Sequence, residues 1–253
     1  MTLVIAKIVN DDIQIISDTK ITDIFLGSQN PLLGQLKTVL LNPYISISFS
    51  GLPSYAQEVL QAFYLQELPN YNSILVVNSI LLKCLEINRK SGNLTNFILC
   101  FIYQNKPHIY KIANSQIEQN LKNAWIGDIK GFNKYQEHYH QSIKLKEFDK
   151  MEEAFDKVVD DSTIETVGDF TIRVGNESDR SDEVQYLNYQ INRIRYCGPY
   201  DFVEFEHGKF MMKHTTVEKG GYGFSLFRSF DPQIPAIGFI FMLVILDLYF
   251  FLN

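Results

Sequence analysis

Apolar and polar positions follow two distinct periods along this chain. Residues 3–9 and 13–17 are runs of β-branched residues separated by Asn10-Asp11-Asp12, which is a hairpin signal. A loop carrying Gly27, Pro31 and Gly34 follows, then the strand TVLL, the turn Asn42-Pro43 and the strand YISISFS. The alternation in that last strand predicts one packed face and one smaller, more polar face. The period then changes. In GLPSYAQEVLQAF, Ser54 followed by Gln57 has the form of a capping box, and Tyr55, Val59, Ala62 and Phe63 recur at helical spacing. A second helix is predicted over about 73–89, with Val77, Ile80, Leu81, Cys84 and Leu85 on one face.

FILCFIY and HIYKIA read as a strand pair around Asn105-Lys106-Pro107, and AWIGD as a short strand. Helical stretches are predicted over 133–141 and 151–160, the latter with Met151, Phe155, Val158 and Val159 on one face. The strand DFTIRV leads into the charged passage GNESDRSDE, which places a boundary near residue 175. Beyond it a short helix over 184–192, the strands DFVEFE and KFMMKH, and a glycine turn at Gly220-Gly221 are expected. Two blocks of strands, each followed by two helices, predict an α+β domain over 1–175. Its sheets should pack face to face with helices outside them, and residues 176–253 should form a C-terminal extension.

Residues 236–252, AIGFIFMLVILDLYFFL, form seventeen nearly unbroken apolar positions. Two readings compete: a membrane tail just short of a bilayer span, or two consecutive buried strands with Gly238 near the start of the first and Asp247 at a turn. Asp247 favours the second, because a carboxylate in hydrocarbon is costly.

At 253 residues the chain is long enough for a sizeable core, and a net charge of −6 without a basic run gives no footprint for nucleic acid. The three cysteines, Cys84, Cys100 and Cys197, lack metal-ligand spacing, and Cys84 and Cys100 lie in apolar runs. His138 and His140 fall on different faces of a helix and suggest a solvated surface. The start lacks an apolar segment of signal-peptide length, so a cytoplasmic chain is expected.

Candidate chemistry sits at the first strand. Removal of Met1 would leave Thr2 as a free terminal residue, its hydroxyl a nucleophile and its α-amine the adjacent base. A reference pKa of about 7.7–8.0 suits that amine to general-base work. Asp18 ends the second strand of the hairpin and so returns toward Thr2, while Lys37 opens the next strand. Gly51 follows SISFS, where a backbone N–H without side-chain bulk is suited to an oxyanion.

Thr2, SDTKIT with Asp18, LKT with Lys37 and SFSGLPSYAQ with Gly51 together resemble the proteasome β-subunit pattern of the N-terminal-nucleophile hydrolases, including its bacterial relatives. The resemblance covers roughly residues 2–65 in motif, and 90–175 only in the order of elements. It implies a four-layer αββα sandwich, Thr2 as nucleophile, Lys37 and Asp18 as its electrostatic support, and Gly51 as oxyanion donor. It further implies Thr22 as a backbone partner for an extended peptide. Phe49, in the strand before Gly51, is a separate candidate for narrowing the pocket beside the nucleophile. A peptide or protein substrate, neither metal nor organic cofactor, and assembly into a ring or helical array of like subunits follow from the resemblance. The chain departs from the pattern at AWIGDIKGF, where Asp128 stands in place of the family's serine; two outcomes are open there, a carboxylate that hydrogen-bonds the amine or an impaired site. For a second supporting carboxylate near TVGDF, Asp161 and Asp169 are both candidates. The competing expectation is a non-catalytic scaffold of the same fold, tethered to a membrane through 236–252.

Overall fold

A computed structural model describes residues 2–20, 35–64, 74–142, 145–168, 171–178 and 185–190. It also describes the backbone of 200–202, 212–214, 222–231, 234–242 and 246–251. The chain divides into two units, one running to Gln190 and the other over Ile191–Leu252.

In the first unit, β1 (Leu3–Val9) and β2 (Asp12–Asp18) form the expected hairpin. Its turn places Asn10 and Asp11 at φ 50° and 66°, the left-handed pair that a two-residue hairpin needs and that Asn and Asp tolerate. The same device recurs at Gln104-Asn105, between β5 (Asn96–Tyr103) and β6 (Lys106–Ala113). It appears again at Asn114-Ser115, before β7 (Gln116–Glu118), a three-residue strand with too little pattern to read from sequence. With β3 (Thr38–Asn42) and β4 (Ile45–Ser50), these strands build an antiparallel sheet in the order β3-β4-β5-β6-β7.

The other five-stranded antiparallel sheet has the order β10-β9-β2-β1-β8, from β8 (Asn123–Gly127), β9 (Thr171–Ser178) and β10 (Gln185–Gln190). Residues 184–192 were expected to form a helix; instead β10 is a strand, with Leu187 and Tyr189 buried at period two. The β preference of that alternation, aromatic on one face, prevails once β9 offers an edge to pair with. β9 also runs across the expected boundary at 175. The Tyr189 hydroxyl donates to the Thr38 carbonyl at 3.2 Å and the Leu187 N–H to the Pro43 carbonyl at 2.6 Å, so residues 176–190 belong to the first unit.

All six residues of β4 are buried, so its serine face is covered as fully as its apolar face. Thr38 Oγ1 donates to Ser17 Oγ at 3.1 Å and shares a hydrogen bond with Ser48 Oγ at 2.9 Å, joining the two sheets through small hydroxyls. Helix α1 (Pro53–Tyr64) and helix α2 (Ile74–Lys90) accompany the β3–β7 sheet. α1 starts one residue ahead of the expected Ser54 cap: Pro53 takes the first helical position, and the Leu52 carbonyl accepts from Tyr55 and Ala56. Buried Asn88 fastens α2, donating to the Thr95 carbonyl at 2.7 Å and accepting from the Ser115 N–H at 2.8 Å.

Against the sheet holding β1 and β2 lie α3 (Ile129–Gln141) and α4 (Glu147–Asp160). Leu3, Ile5 and Ile16 pack there with Tyr135, Met151, Phe155, Val158, Ile164 and Val167. The first unit is therefore α+β, two antiparallel sheets with four helices, an arrangement compatible with a sandwich.

In the second unit, β11 (Tyr200–Phe202) pairs with β12 (Met212–His214), and β13 (Tyr222–Asp231), β14 (Ile234–Met242) and β15 (Leu246–Phe251) form an antiparallel meander. Residues 236–242 and 246–251 of the apolar run thus lie in paired strands. Asp247, expected at a turn, sits inside β15 opposite Ile240. Among the described residues no helix is long and apolar enough to cross a membrane.

Candidate active site

Antiparallel register brings four chain segments to one end of the first sheet. Val4 faces Ser17 across the β1–β2 hairpin, so Asp18 comes back beside Thr2 and Leu3. Leu3 faces Gly127 on the other side of β1, which sets Asp128 next to Thr2. Asp18 pairs with Thr171 of β9, drawing the segment that precedes β9 to the same end. The chain re-enters opposite: the Gln35 N–H donates to the Thr19 carbonyl at 2.9 Å, just before Lys37.

Thr2 is buried, and its hydroxyl donates directly to Asp18 Oδ1. The same oxygen accepts the Leu3 N–H at 2.9 Å, Oδ2 accepts the Lys20 N–H at 3.2 Å, and the Gly168 N–H adds a further bond to the carboxylate. Complete burial dominates its ionisation and raises the carboxyl to about 6, against the opposing pull of the Thr2 hydroxyl, the Lys37 charge and the N–H groups.

That shift has a sign. The folded protein holds the Asp18 proton more tightly than the unfolded chain, whose value is near 3.8. This group therefore favours folding most below about pH 4, and its contribution declines by roughly 3 kcal/mol as pH rises through 6. Urea unfolding of wild type between pH 4 and 7 should show this decline relative to Asp18→Asn, which carries no titrating group there. Parallel profiles for the two proteins would contradict it.

Lys37 is 5% exposed. Its ammonium donates to Gln35 Oε1 at 3.2 Å and stands 5.8 Å from the centre of the Phe49 ring. Burial pushes it below the ordinary lysine value, opposed by the charge of Asp18. The lysine and the carboxylate are thus coupled through space, with no ion pair between them within 4 Å among the described residues. Phe49 is buried in β4, and its N–H donates to the Lys37 carbonyl at 3.0 Å.

Asp128 was expected to reach the amine of Thr2 with its carboxylate. Its contact is made by the backbone instead: the Asp128 N–H donates to the Thr2 carbonyl at 2.7 Å. The side chain caps α3, accepting from the Gly131 N–H at 2.8 Å and from Thr166 Oγ1 at 2.7 Å. Burial alone would raise its carboxyl, but those two donors, the Lys130 N–H and the Lys130 charge together hold it below the ordinary range. Gly127 makes the close approach possible. It has φ +110°, and a Cβ there would fall 1.8 Å from the Thr2 carbonyl oxygen.

Gly51 has φ +101° and lies against the Leu94 carbonyl, where a Cβ would fall 1.9 Å away. Its glycine requirement therefore has a packing cause that is separate from any oxyanion role. Asp161 follows the last residue of α4 and accepts from the Thr163 N–H at 2.9 Å and its hydroxyl at 2.6 Å, while Asp169 and Thr22 lie outside the described residues. Sequence reasoning missed Thr166 and Gly168, which serve Asp128 and Asp18 from positions two residues apart. The only available signal was their place in TVGD just ahead of a strand.

A buried hydroxyl bonded to a buried carboxylate, with a buried lysine whose charge that carboxylate feels, is suited to activating the hydroxyl for acyl transfer. Among known proteins, no family model matches this chain and none of the curated proteins is found to be similar to it.

Proposed function

We propose that this chain is a threonine-type hydrolase of the proteasome-like, N-terminal-nucleophile kind, which cleaves peptide or amide bonds through an acyl-enzyme on Thr2. Removal of Met1 exposes Thr2 to substrate. The observation that carries the reading is the buried Thr2–Asp18 hydrogen bond with the Lys37 charge felt by Asp18, three residues from separate segments. The two antiparallel sheets and their helices are compatible with an αββα sandwich of the N-terminal-nucleophile type. On this reading the protein works in the cytoplasm as a homo-oligomeric ring or helical array. Asp18 and Lys37 stabilise charge at the nucleophile, and the hydroxyl adds to the substrate carbonyl to form an ester that water then hydrolyses.

The test is acylation of the purified full-length protein by a β-lactone probe, with the adduct located by peptide mass spectrometry. Modification at Thr2 is expected; a probe that leaves Thr2 untouched while the protein is folded defeats the reading.

One observation favours a second reading, a non-catalytic scaffold of the same fold: Thr2 is only 1% exposed. A scaffold would keep its assembly state and biological role in Thr2→Ala and Lys37→Ala variants, and a hydrolase would lose the role with the activity.

A further inference from the structure

We infer that the turn after α2, through Asn88, Ser91 and Thr95, positions the Gly51 N–H as the oxyanion donor of this site. The inference rests on the reading of Thr2 as nucleophile and Gly51 as oxyanion donor, and goes beyond it in naming what holds that donor in place.

A glycine N–H serves an oxyanion well only when it is fixed, because glycine leaves its two flanking peptide planes free to rotate. Both planes are held here. The one before Gly51 is held by register: Ser50 faces Asn96 across β4 and β5, and the Phe49 N–H donates to the Lys37 carbonyl at 3.0 Å, which brings Gly51 to the end of the sheet where Lys37 stands. The one after it is held by Thr95, whose buried hydroxyl accepts the Leu52 N–H at 3.3 Å. Between them the Leu94–Thr95 backbone presses on Gly51, where a Cβ would fall 1.9 Å from the Leu94 carbonyl oxygen and 2.9 Å from Thr95 Cα. The contact that demands glycine thus also pins its φ at +101°. The Gly51 N–H is left over: the residue is exposed, and among the described residues that N–H has no hydrogen-bond partner.

The turn in its turn fixes Thr95. Buried Asn88 donates to the Thr95 carbonyl at 2.7 Å and to Asn96 Oδ1 at 3.1 Å. Ser91 Oγ accepts the Thr95 N–H at 3.0 Å while donating to the Asn88 carbonyl at 2.8 Å. A loop that only closed α2 onto β5 would need those bonds, but not the Thr95 hydroxyl on Leu52. Asn88, Ser91 and Thr95 act through Gly51 and are positioning residues.

The experiment follows acylation of Thr2 by a β-lactone in the full-length protein beginning at Thr2, since addition to the lactone carbonyl passes through a tetrahedral oxyanion. Thr95→Val keeps the shape of the side chain and removes the acceptor of the Leu52 N–H. Its maximal labelling rate should fall roughly 10-fold or more, toward the roughly 10²–10³-fold cost of losing an oxyanion donor outright, with the half-saturating probe concentration unchanged within about twofold. Thr95→Ser keeps the oxygen and should restore the rate. Labelling by folded Thr95→Val at the wild-type rate, or Thr95→Ser as slow as Thr95→Val, overturns the positioning role while leaving Thr2 as nucleophile. Failure of the wild-type protein to label at Thr2 overturns the nucleophile reading, and the inference with it. If Thr95→Val does not fold, amide hydrogen exchange in the unmutated protein decides the matter. Slow exchange at Leu52 and fast exchange at Gly51 are expected, with Gly51 slowed once a peptide aldehyde has formed its hemiacetal on Thr2. Fast exchange at Leu52, or no slowing at Gly51, overturns the inference.

Discussion

Thr2→Ala is expected, on the proposed hydrolase reading, to abolish hydrolysis of peptide and amide substrates, lowering kcat by roughly 10⁴-fold or more, because it removes the atom that this reading has bonding to the acyl carbon. Thr2→Ser keeps that oxygen and should retain turnover. The alanine variant also removes one donor from Asp18 Oδ1, leaving the Leu3, Lys20 and Gly168 N–H groups on the carboxylate. Since the Thr2 bond is the strongest of the influences lowering the Asp18 value, its loss should push the carboxyl further up and cost about 1–3 kcal/mol of stability at neutral pH. Circular dichroism and urea unfolding separate this from the catalytic loss: a folded, modestly destabilised protein with no turnover is the expected pair of results. Undiminished hydrolysis by folded Thr2→Ala would place the chemistry somewhere else in the molecule.

Gly127→Ala should destabilise the fold by about 3–5 kcal/mol, a large effect for a single substitution. Two causes combine there. The added Cβ would lie 1.8 Å from the Thr2 carbonyl oxygen and 2.7 Å from its carbon, backbone atoms held in place by the Asp128 N–H on that oxygen and by the pairing of the next residue, Leu3, with Gly127. The residue also has φ +110°, outside the regions open to side chains. Gly92→Ala is the natural control, because Gly92 also has positive φ, at +64°, but a Cβ there meets nothing within 4 Å. It should cost only about 1 kcal/mol. Urea denaturation of the two variants side by side checks the argument; equal losses would mean that the packing of Gly127 on Thr2 is looser than the fold indicates.

Most of the first unit was legible along the chain. A β-branched run marked β1, alternation marked β4, a turn between two apolar runs marked β5 and β6, and helical spacing marked α2 and α4 through residues that do become buried, Val77, Ile80, Cys84, Phe155 and Val158 among them. What escaped was short or depended on a partner. β7 has three residues and owes its existence to the edge of β6, and β10 is a strand because β9 lies beside it. The expected boundary at 175 followed a charged composition that says nothing of pairing, and β9 runs through it.

Of the candidate site, Thr2, Asp18 and Lys37 were readable because each stands at a strand end, and antiparallel pairing makes strand ends meet. The sequence alone determined which residue types were on hand: a hydroxyl at the first strand, a carboxylate at the end of the second, a lysine at the start of the third. Which atom bonds to which was left to the tertiary structure. It gave the Thr2 hydroxyl to Asp18, turned Lys37 toward Gln35, and made Asp128 act on Thr2 through its N–H while Thr166 held its carboxylate. The reason is physical: a strand pattern fixes the face and end on which a residue lies, whereas hydrogen-bond partners within a buried cluster are chosen by ångström-scale packing among segments far apart in the chain.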